Sequence, residues 1–485
     1  MRWTVEQVAR ALGVNAPGAI DPMARLAGVS IDSRTVSRDE LFVAIHGPHH
    51  DGHDFVVAAL EAGAMAGVVA ASRTAQFPES VRGRLFEVAG TLEALQQLAH
   101  AVRVGWGRRL AAVTGSAGKT TTKEILAALL AARFRTLKSE GNLNNEYGLP
   151  LQLLRLDEAD EVAVVELGMS HAGELRRLAE IARPDVGVVT GVAPVHLEFF
   201  NSVDEIALAK RELIEGLAGA ESVAVLNADD TRVARFAEVA PGRVLTFGIS
   251  GAADFRAENI EDRGLEGSAF DLVTPQGDAR LALSLPGRHN ILNALAALSA
   301  ASVWGIGAEQ AREVLKGLEP AGMRGRELRY QAGFRVINDC YNSNPVALAA
   351  MIDLLVRTPV AGRRILAAGE MLELGPASPE LHRWAGRTAA LAGKLDWVVG
   401  VQGDAEELIG GAIQAGHPAA RAKFFKSAPE AGEFLAGLVA TGDVLLVKGS
   451  RGVKMERVVE ALDARFARLG AQLPAEAGRA RQERG

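Results

Sequence analysis

Residues 110–122 read Leu-Ala-Ala-Val-Thr-Gly-Ser-Ala-Gly-Lys-Thr-Thr-Thr, and this stretch decides which fold is predicted for the segment around it. The apolar run 110–113 precedes the glycines, and an amphipathic pattern that includes Ile125 and Leu129 follows them. Such an order predicts a strand, a glycine turn and the start of a helix. The backbone N–H groups of this turn can hold phosphates at the positive end of the helix dipole.

The turn also contains side chains suited to a bound nucleotide. Lys119 is expected to place its charge near the outer phosphates, and the Thr120 hydroxyl is expected to hold Mg²⁺. The usual phosphate loop has a glycine where this chain has Val113, so the loop is a shortened variant. An ordinary turn that contains Gly-Lys-Thr by chance is the alternative, but the flanking strand and helix favour a phosphate loop. The predicted ATP-binding loop consists of Thr114, Gly115, Ser116, Ala117, Gly118, Lys119, Thr120 and Thr121.

The composition narrows the class of protein. The chain has 485 residues, of which 48% are hydrophobic and 23% charged, and this length suits several globular domains. Its net charge of −6 argues against a basic nucleic-acid-binding surface. The single cysteine, Cys340, excludes an internal disulfide and fits a reducing compartment. Because the sequence shows no signal peptide or membrane-length apolar run, we expect a cytoplasmic protein without stable membrane insertion.

The chain is expected to fold as an α/β protein of three domains. Strand and helix patterns alternate through the centre and the C-terminal part, which is typical of parallel sheets covered by helices on both faces. Central strands are predicted at 110–113, 162–167, 186–190 and 223–226, and C-terminal strands at 334–337, 365–368, 397–401, 423–425 and 444–447. The predicted segments are a small mixed N-terminal domain (1–107), a central P-loop parallel-sheet ATPase domain (108–320), a doubly wound, Rossmann-like C-terminal domain (321–470) and a disordered tail (471–485).

Two chemically unusual residues stand near the predicted carboxyl ends of central strands, where open α/β sheets bind their ligands. Glu166 ends an apolar run, in which a carboxylate is costly unless it is paired or bound to a metal ion. His196 follows the predicted strand that ends at Thr190. Taken alone, the first is more simply a salt-bridged strand end and the second a packed loop histidine. Beside a phosphate loop, a shared metal–nucleotide site becomes the better interpretation.

Lys210 occupies an unexpected position on a predicted helix. Ser202 and Glu205 match a capping box and predict where this helix begins. Lys210 then shares the apolar face of the helix with Ile206 and Leu213. A lysine that snorkels to solvent, or one paired with a glutamate, would explain this position. Alternatively, a desolvated lysine has a lowered pKa, and its neutral amine is open to chemical modification.

Three further segments are rich in polar side chains. Residues 142–150 contain many amides, although asparagine-rich turns are common. Residues 287–294 place amides at a helix start, where Asn290 is either a ligand contact or an N-cap. Residues 339–345 follow the first predicted C-terminal strand and form either a site or a turn into a helix with Pro345 at its first position.

Together these motifs resemble the Mur ligases, the ATP-dependent amide-bond-forming enzymes of peptidoglycan precursor synthesis. The resemblance covers about residues 28–460, and the family's ATP loop also lacks the first glycine. It implies that Thr120, Glu166 and His196 hold two Mg²⁺ ions. It also implies that CO₂ carbamylates Lys210, which then becomes an anionic metal ligand. The implied catalytic residues are Lys119, His196 and Lys210, and the implied ATP contacts outside the loop are Asn290, Arg324 and Asp339.

Three segments resemble the branch of the family that joins D-alanyl-D-alanine to UDP-N-acetylmuramoyl-tripeptide. Residues 338–345 read Asn-Asp-Cys-Tyr-Asn-Ser-Asn-Pro, and the branch typically has Asp-Asp-Ser-Tyr-Asn-Ala-Asn-Pro. Residues 369–375 read Gly-Glu-Met-Leu-Glu-Leu-Gly, and the branch typically has Gly-Asp-Met-Leu-Glu-Leu-Gly. Lys-Gly-Ser-Arg-Gly at 448–452 is similar to its C-terminal signature. The departures at Asn338, Cys340, Ser343 and Glu370 are conservative and leave the hydrogen bonds there open.

The resemblance implies a monomeric ligase with two substrates besides ATP. ATP would phosphorylate the terminal carboxylate of the UDP-linked tripeptide, and the amine of D-alanyl-D-alanine would attack the acyl phosphate. A diamino-acid-adding Mur ligase and a folylpolyglutamate synthetase-like ligase are the alternatives. The first typically carries Asp-Tyr-Ala-His-Thr-Pro where this chain has 339–345, and the second lacks the N-terminal UDP segments. The implied substrate-binding residues are Ser33, Arg34, Asp51, Gly52, His53, Asn142, Asn145, Asn342 and Asn344.

Overall fold

The computed structural model describes residues 3–47 and 50–469, so the tail predicted at 471–485 lies outside the described residues. The described residues form two compact units. The first contains the residues up to 261 together with 268–284 and 289–318, and the second contains 262–267, 285–288 and the residues from 319 onward. Within these described ranges, no helix has the length and apolar character needed to cross a membrane.

The first unit begins with a four-stranded parallel sheet. Its elements are α1 (Val5–Leu12), β1 (Val29–Ser30), β2 (Leu41–Val43), α2 (Val56–Glu61), β3 (Ala66–Ala70), α3 (Glu79–Arg82), β4 (Leu85–Val88) and α4 (Thr91–Trp106), and the strands lie in the order β1-β2-β3-β4. The sequence predicts a first helix at 5–12, and helix α1 has these bounds. The Thr4 hydroxyl accepts a hydrogen bond from the N–H of Gln7 at its start, and Gly13 ends it with φ of 68°.

The same unit continues with a nine-stranded sheet. Its elements are β5 (Arg109–Thr114), α5 (Lys119–Ala131), β6 (Thr136–Lys138), α6 (Gly148–Leu153), β7 (Val162–Glu166), α7 (Glu174–Ala182), β8 (Val186–Val189), α8 (Val203–Glu215), β9 (Val223–Asn227), α9 (Thr231–Ala234), β10 (Arg243–Gly248), β11 (Phe255–Asp262), β12 (Ser268–Val273), β13 (Ala279–Leu283), α10 (Arg288–Ser302) and α11 (Ala308–Lys316). The strand order is β13-β12-β11-β10-β9-β8-β5-β7-β6. Strand β5 lies between β8 and β7 and is parallel to both, so the carboxyl ends of all three meet at one edge.

Burial explains which central strands the sequence predicts. Strands β7, β8 and β9 are buried along their whole length, and only Arg109 of β5 is exposed, so each appears in the sequence as a continuous apolar run. Strands β6 and β10 are absent from the prediction. The first has only three residues, and the second alternates between buried and partly exposed positions.

The second unit contains a six-stranded sheet. Its elements are β14 (Arg326–Arg329), β15 (Arg335–Asp339), α12 (Pro345–Arg357), β16 (Arg364–Gly369), α13 (Ser378–Leu391), β17 (Trp397–Val401), α14 (Ala405–Gln414), β18 (Ala422–Phe425), α15 (Ala428–Leu438), β19 (Val444–Lys448) and α16 (Glu456–Arg465), with strand order β14-β15-β19-β16-β17-β18. Helices α15 and α16 pack on one face, and α12, α13 and α14 pack on the other. The predicted α/β class is confirmed, whereas the predicted domain boundaries stay predictions.

One strand of this sheet corrects a prediction. The segment at 334–337 is predicted as the first C-terminal strand, but β14 precedes it and pairs with β15 in the antiparallel direction. Because β14 is an edge strand with the polar sequence Arg-Glu-Leu-Arg, it lacks the apolar run that marks a buried strand. Residues 339–345 therefore follow the second strand of the sheet, β15.

Candidate active site

The glycine turn between β5 and α5 has the geometry predicted for a phosphate loop. Gly115 and Gly118 have φ of 148° and 84°, values that favour glycine. A Cβ atom on Gly115 would lie 1.9 Å from Thr190 Oγ1, and one on Gly118 would lie 2.2 Å from Asn293 Oδ1. Both positions therefore need glycine, because the backbone approaches its neighbours too closely for a side chain.

The loop that follows β8 fixes the shape of this turn. Thr190 Oγ1 donates a hydrogen bond to the Ala117 carbonyl at 2.5 Å. Ser116 Oγ accepts the N–H of Ala193 at 2.9 Å, and Ser116 N donates to the Gly191 carbonyl at 2.9 Å. A turn held in this way is preorganised, so a phosphate group would need little rearrangement of the backbone to bind.

Three other loop residues have defined positions. Lys119 Nζ donates to the Gly115 carbonyl at 2.8 Å, so its ammonium lies over the turn. The Thr114 hydroxyl donates to the Leu167 carbonyl at 2.9 Å and is used within the sheet. Thr121 lies half-buried in the first turn of α5. Of the three, Lys119 is the one that places a charged group at the glycine turn, and its contact with a phosphate stays a prediction.

The Glu166 carboxylate is held by donors from two neighbouring segments. Thr120 Oγ1 donates to its Oε2 at 2.7 Å, and Asn144 Nδ2 donates to its Oε1 at 2.8 Å. The backbone N–H of Glu166 donates to Ser139 Oγ at 3.0 Å. The two carboxylate oxygens of Glu166 therefore accept hydrogen bonds from neutral donors. No lysine, arginine or histidine among the described residues forms a salt bridge with Glu166. The predicted simpler alternative, a salt-bridged strand end, is therefore wrong.

His196 occupies a strained position in the loop after β8. Its side chain is half-buried, and its backbone φ is 56°, which residues other than glycine rarely adopt. Its carbonyl accepts the N–H of Phe199 at 2.9 Å. At the start of the loop, Asn227 Nδ2 donates to the Thr190 carbonyl at 2.8 Å. Strained backbone that its surroundings hold in place is a frequent feature of functional sites.

Lys210 is buried on α8, as the sequence indicates. Only 2% of the residue is exposed, so the snorkelling alternative is wrong. The pKa of Lys210 lies well below its usual range, mainly because of burial and further because of the positive charge of Lys119. The capping box is only half formed. Ser202 Oγ accepts the N–H of Glu205 at 3.2 Å, but the Glu205 carboxylate accepts the N–H of Asn201 instead of that of Ser202.

Asn290 lies beside the phosphate loop but is not an N-cap. Helix α10 begins at Arg288, so Asn290 is the third residue of the helix. Its Oδ1 accepts a hydrogen bond from Asn293 Nδ2 at 2.9 Å, and Asn293 Oδ1 faces Gly118 and the Thr122 hydroxyl. The cap interpretation is therefore wrong, and Asn290 reaches the loop through Asn293.

The asparagine-rich loop between β6 and α6 contributes a residue that the sequence did not single out. Asn145 Oδ1 accepts the N–H of Gly148 at 2.9 Å, and the Asn142 carbonyl accepts the N–H of Asn144 at 2.8 Å, so both shape the loop. The residue that reaches Glu166 is Asn144. The cluster of amides was the signal, but the choice among adjacent asparagines depends on the fold of the loop.

The Asp51-Gly52-His53 segment forms a buried polar cluster in the N-terminal part. His53 Nδ1 lies 2.6 Å from Asp51 Oδ1, and His53 Nε2 accepts the N–H of Ala70 at 3.0 Å. Burial acts to raise the pKa of Asp51, but hydrogen bonds from His53 and the charge of Arg73 outweigh it and lower the pKa to about 2. A Cβ on Gly52 would lie 2.6 Å from the Ile45 nitrogen. These contacts shape the segment, and its role in substrate binding stays a prediction.

Ser33 and Arg34 lie in the other N-terminal segment that the resemblance implicates. Arg34 donates from Nε to Asp32 Oδ1 at 2.9 Å and from Nη2 to Asp32 Oδ2 at 2.6 Å. The Arg34 side chain is 85% exposed, and Ser33 precedes it in the same turn. The Asp32 carboxylate thus pairs with the guanidinium of Arg34, and substrate binding by Ser33 and Arg34 stays a prediction.

The second unit brings its predicted residues together at the carboxyl ends of β15 and β19. Lys448 Nζ lies 2.5 Å from Asp339 Oδ2 and donates to the Asn342 carbonyl at 2.8 Å. Arg324 stacks over the ring of Tyr341 with its guanidinium carbon 4.0 Å from the ring centroid. Lys448 was noted only as the first residue of the signature at 448–452 and had no predicted role, although a charged residue that ends an apolar strand is the same signal that identified Glu166.

Asn344 is the N-cap of α12. Its Oδ1 accepts the N–H of Ala347 at 2.8 Å, and Pro345 occupies the first helical position. Asn342 Oδ1 accepts the N–H of Ser343 at 2.8 Å. The turn into a helix that the sequence offered as an alternative for 339–345 is confirmed. Substrate binding by Asn342 and Asn344 stays a prediction.

Comparison with known families identifies the chain along most of its length. Residues 25–103 match the model described as Mur ligase family, catalytic domain. Residues 113–301 match the Mur ligase middle domain, and residues 323–451 match the Mur ligase, glutamate ligase domain. The chain belongs to the Mur ligase family.

Individual Mur ligases resemble the chain over nearly their full length. The UDP-N-acetylmuramoyl-tripeptide–D-alanyl-D-alanine ligase of Escherichia coli is 36% identical, and the match covers 90% of this chain and 94% of that protein. A crystal structure of MurF from Acinetobacter baumannii is 30% identical with a TM-score of 0.86, and covers 95% of this chain and 99% of that one. The crystal structure of MurF ligase from Thermotoga maritima in complex with ADP is 29% identical with a TM-score of 0.78. This match covers 90% of this chain and 97% of that one.

The residues around Glu166 fit the Mg²⁺ site that the Mur ligase family implies. Among the residues that the structure describes, no group of three or more His, Cys, Asp or Glu side chains is arranged to hold a metal ion. Mg²⁺ usually keeps several waters and takes one or two carboxylates together with substrate phosphates. The Thr120 hydroxyl and the Glu166 carboxylate, 2.7 Å apart, are such a limited donor set. They suit Mg²⁺ that binds together with a nucleotide.

Proposed function

We propose that this protein is an ATP-dependent, ADP-forming ligase of peptidoglycan precursor synthesis that joins D-alanyl-D-alanine to UDP-N-acetylmuramoyl-tripeptide. The observation that carries the proposal is the convergence of the phosphate loop, the Glu166 carboxylate and the buried Lys210 at one edge of the central sheet. The E. coli and A. baumannii relatives support the same branch over nearly their full length. Neither of the two alternative ligases is favoured by these relatives.

The first step is transfer of the γ-phosphoryl group of ATP to the terminal carboxylate of the tripeptide, which gives an acyl phosphate and ADP. Lys119 would hold the outer phosphates, and the backbone N–H groups of Gly115 to Lys119 would hold the inner ones. Thr120, Glu166 and His196 would hold two Mg²⁺ ions. Bound there, the metal ions would neutralise the charge on the transferred group. The chain's own residues thus act by positioning and by charge.

In the second step, the amine of D-alanyl-D-alanine attacks the acyl carbon and loses a proton as the C–N bond forms. The C–O bond to phosphate breaks, and phosphate leaves with its electron pair. We propose that the C-terminal unit binds this amine through Asn342 and Asn344, and that Arg324 and Asp339 contact ATP. Asn290, on helix α10, would also contact ATP. The paired Lys448 and Asp339 fix the backbone at 339–342, so that the amides of this segment have a defined position.

Lys210 is proposed to carry a carbamate. A neutral lysine amine adds to CO₂ with loss of one proton, and the product is an anion. The depressed pKa of Lys210 supports this chemistry, because a lower pKa increases the fraction of the neutral amine. The reaction would place an anion close to the positive charge of Lys119, which attracts it.

Amine specificity tests the proposal. Phosphate release is measured with UDP-N-acetylmuramoyl-tripeptide carrying either meso-diaminopimelate or lysine as its third residue, in the presence of ATP and Mg²⁺. D-Alanyl-D-alanine is expected to drive turnover, whereas meso-diaminopimelate and L-glutamate are not, because buried polar sites strongly reject analogues that leave them unpaired. Faster turnover with UDP-dipeptide and meso-diaminopimelate would contradict the branch and leave the ligase mechanism intact.

We further propose that the enzyme works as a monomer in the cytoplasm, where ATP and the UDP-linked precursors are available. Sedimentation equilibrium at micromolar concentration tests the oligomeric state, and a mass of 51.1 kDa is expected. A concentration-dependent rise toward twice this mass would contradict it.

A further inference from the structure

A buried glutamine connects helix α4, at the end of the N-terminal part, to the loop that holds Asn144 against Glu166. Gln96 is 5% exposed. Its Nε2 donates to the Glu146 carbonyl at 3.2 Å, and its Oε1 accepts from Arg177 Nε at 3.0 Å. The amide nitrogen and the amide oxygen of Gln96 are therefore both hydrogen-bonded, as a buried polar group requires. Their partners lie in the segments before and after β7 in the chain.

The Glu146 carbonyl lies two residues beyond Asn144 in the same short loop. Asn144 is fixed there on both sides, since its carbonyl accepts the N–H of Gly168 at 2.8 Å and its Nδ2 donates to Glu166 at 2.8 Å. Gly168 approaches so closely that a Cβ on it would lie 2.7 Å from Asn144 Oδ1. A displacement of the loop would therefore change the Asn144–Glu166 contact directly.

We propose that Gln96 is a positioning residue for the metal site: by holding the Glu146 carbonyl it keeps Asn144 in place and thereby orients the Glu166 carboxylate. Removing groups that orient a metal ligand typically lowers metal affinity or activity by about 10- to 100-fold. Gln96 does not contact Glu166 itself and acts on it through the loop that contains Glu146 and Asn144. A smaller effect of about 3- to 10-fold on Mg²⁺ affinity is therefore expected. The inference rests on the nucleotide and Mg²⁺ site of the proposed function.

Two variants separate the contacts of Gln96. Gln96→Leu removes both hydrogen bonds with little change in volume. Gln96→Glu keeps an acceptor for Arg177 but loses the donor to the Glu146 carbonyl. If the contact with the loop is the one that matters, both variants weaken the Mg²⁺ site. Gln97→Leu is the matched control, because Gln97 is the next residue of the same helix and is exposed.

Calorimetric ADP binding across a range of Mg²⁺ concentrations measures the effect without turnover. The Mg²⁺ midpoint is expected to rise about 3- to 10-fold in both Gln96 variants and to stay unchanged in Gln97→Leu. ADP affinity in excess EDTA should be the same in all of them, whereas a general loss of structure would lower it. An unchanged midpoint in a folded Gln96→Glu or Gln96→Leu protein would overturn the proposal.

A double-mutant cycle with Asn144→Ala tests the route of the effect. If Gln96 acts through Asn144, then adding Gln96→Glu to Asn144→Ala should raise the Mg²⁺ midpoint no further. Additive shifts would overturn the proposed route. If the wild-type protein showed no D-alanyl-D-alanine-dependent turnover, the proposed function would fail, but the Mg²⁺ dependence of ADP binding would still decide the role of Gln96.

Discussion

Lys119 in the first turn of α5 and the buried Lys210 on α8 interact electrostatically. The positive charge of Lys119 lowers the pKa of Lys210 below the value that burial alone would give. Two lysines on separate helices thus share one site at the edge of the central sheet. Like charges in a desolvated site repel each other strongly, so the arrangement favours a neutral or modified Lys210. An anion at Lys210, whether a carbamate or a bound ligand, would relieve the repulsion.

Replacing Lys210 tests the carbamate. Lys210→Ala is expected to be inactive and to recover part of its turnover when a small carboxylate such as acetate is added. Lys210→Arg should stay inactive, because arginine keeps its positive charge and cannot form a carbamate. Phosphate release in each variant, with and without added carboxylate, measures this. An active Lys210→Arg protein would contradict the carbamate and indicate that positive charge is what matters.

Replacing Lys119 tests the phosphate loop. Lys119→Ala should remain folded, and turnover should fall by at least ~10²-fold because the charge near the outer phosphates is lost. ADP formation is the measurement. Lys316→Ala, at an exposed position on α11, serves as the control and should keep wild-type turnover. Near-normal ADP formation in Lys119→Ala would contradict the assignment of this loop.

A second lysine of α5 is expected to matter for stability. Lys123 is 1% exposed, and its Nζ donates to the Ser139 carbonyl at 2.7 Å and lies 2.9 Å from Glu124 Oε1. Lys123→Met keeps the volume but leaves that buried carbonyl unpaired, so the free energy of unfolding should fall by about 1–3 kcal/mol.

The matched control for Lys123 is Lys138, which pairs with the same Glu124 but is 47% exposed. Lys138→Met should lower the free energy of unfolding by less than about 1 kcal/mol, because exposed ion pairs contribute little. Urea unfolding of the three proteins measures both values. Equal losses in Lys123→Met and Lys138→Met would show that the pairing with Glu124, and not the contact with Ser139, is the source of the stability.

His382 is expected to make the stability of the second unit depend on pH. Its Nε2 accepts the N–H of Met371 at 2.9 Å, and its Nδ1 lies 2.8 Å from the Ser378 carbonyl, which requires the neutral ring with its proton on Nδ1. Burial lowers the pKa of His382 below the unfolded value of 6.5. The unfolded state therefore takes up a proton first as the pH falls. The stability is fully present above about pH 6.5 and is lost as the pH falls toward the folded pKa.

The difference in unfolding free energy between the wild type and His382→Gln measures this effect from pH 5 to pH 8. The advantage of the wild type should shrink below pH 6.5, by at most about 1.4 kcal/mol for each pH unit. His50→Gln, at an exposed position, should show no such trend. A difference for His382→Gln that is constant with pH would contradict the role of the neutral ring.

The elements that the sequence predicts well are those with one dominant physical cause. Helix α1 has its predicted bounds because Thr4, Gln7 and Gly13 provide local capping signals at both ends. Strands β7, β8 and β17 match closely because strands buried on both faces appear as apolar runs. The polar edge strand β14 has no such signal, since only Leu328 of its four residues is buried.

The sequence by itself determined the α/β class, the phosphate loop and the family resemblance, because these depend on local spacing of glycines, apolar runs and polar residues. Only the tertiary structure decided that Asn144 rather than Asn142 or Asn145 reaches Glu166, and that Asn344 caps a helix. It also decided that Lys119 lowers the pKa of Lys210, 91 positions further along the chain. Hydrogen bonds and electrostatic interactions act over a few ångströms in space, and the folded chain alone sets which side chains come that close.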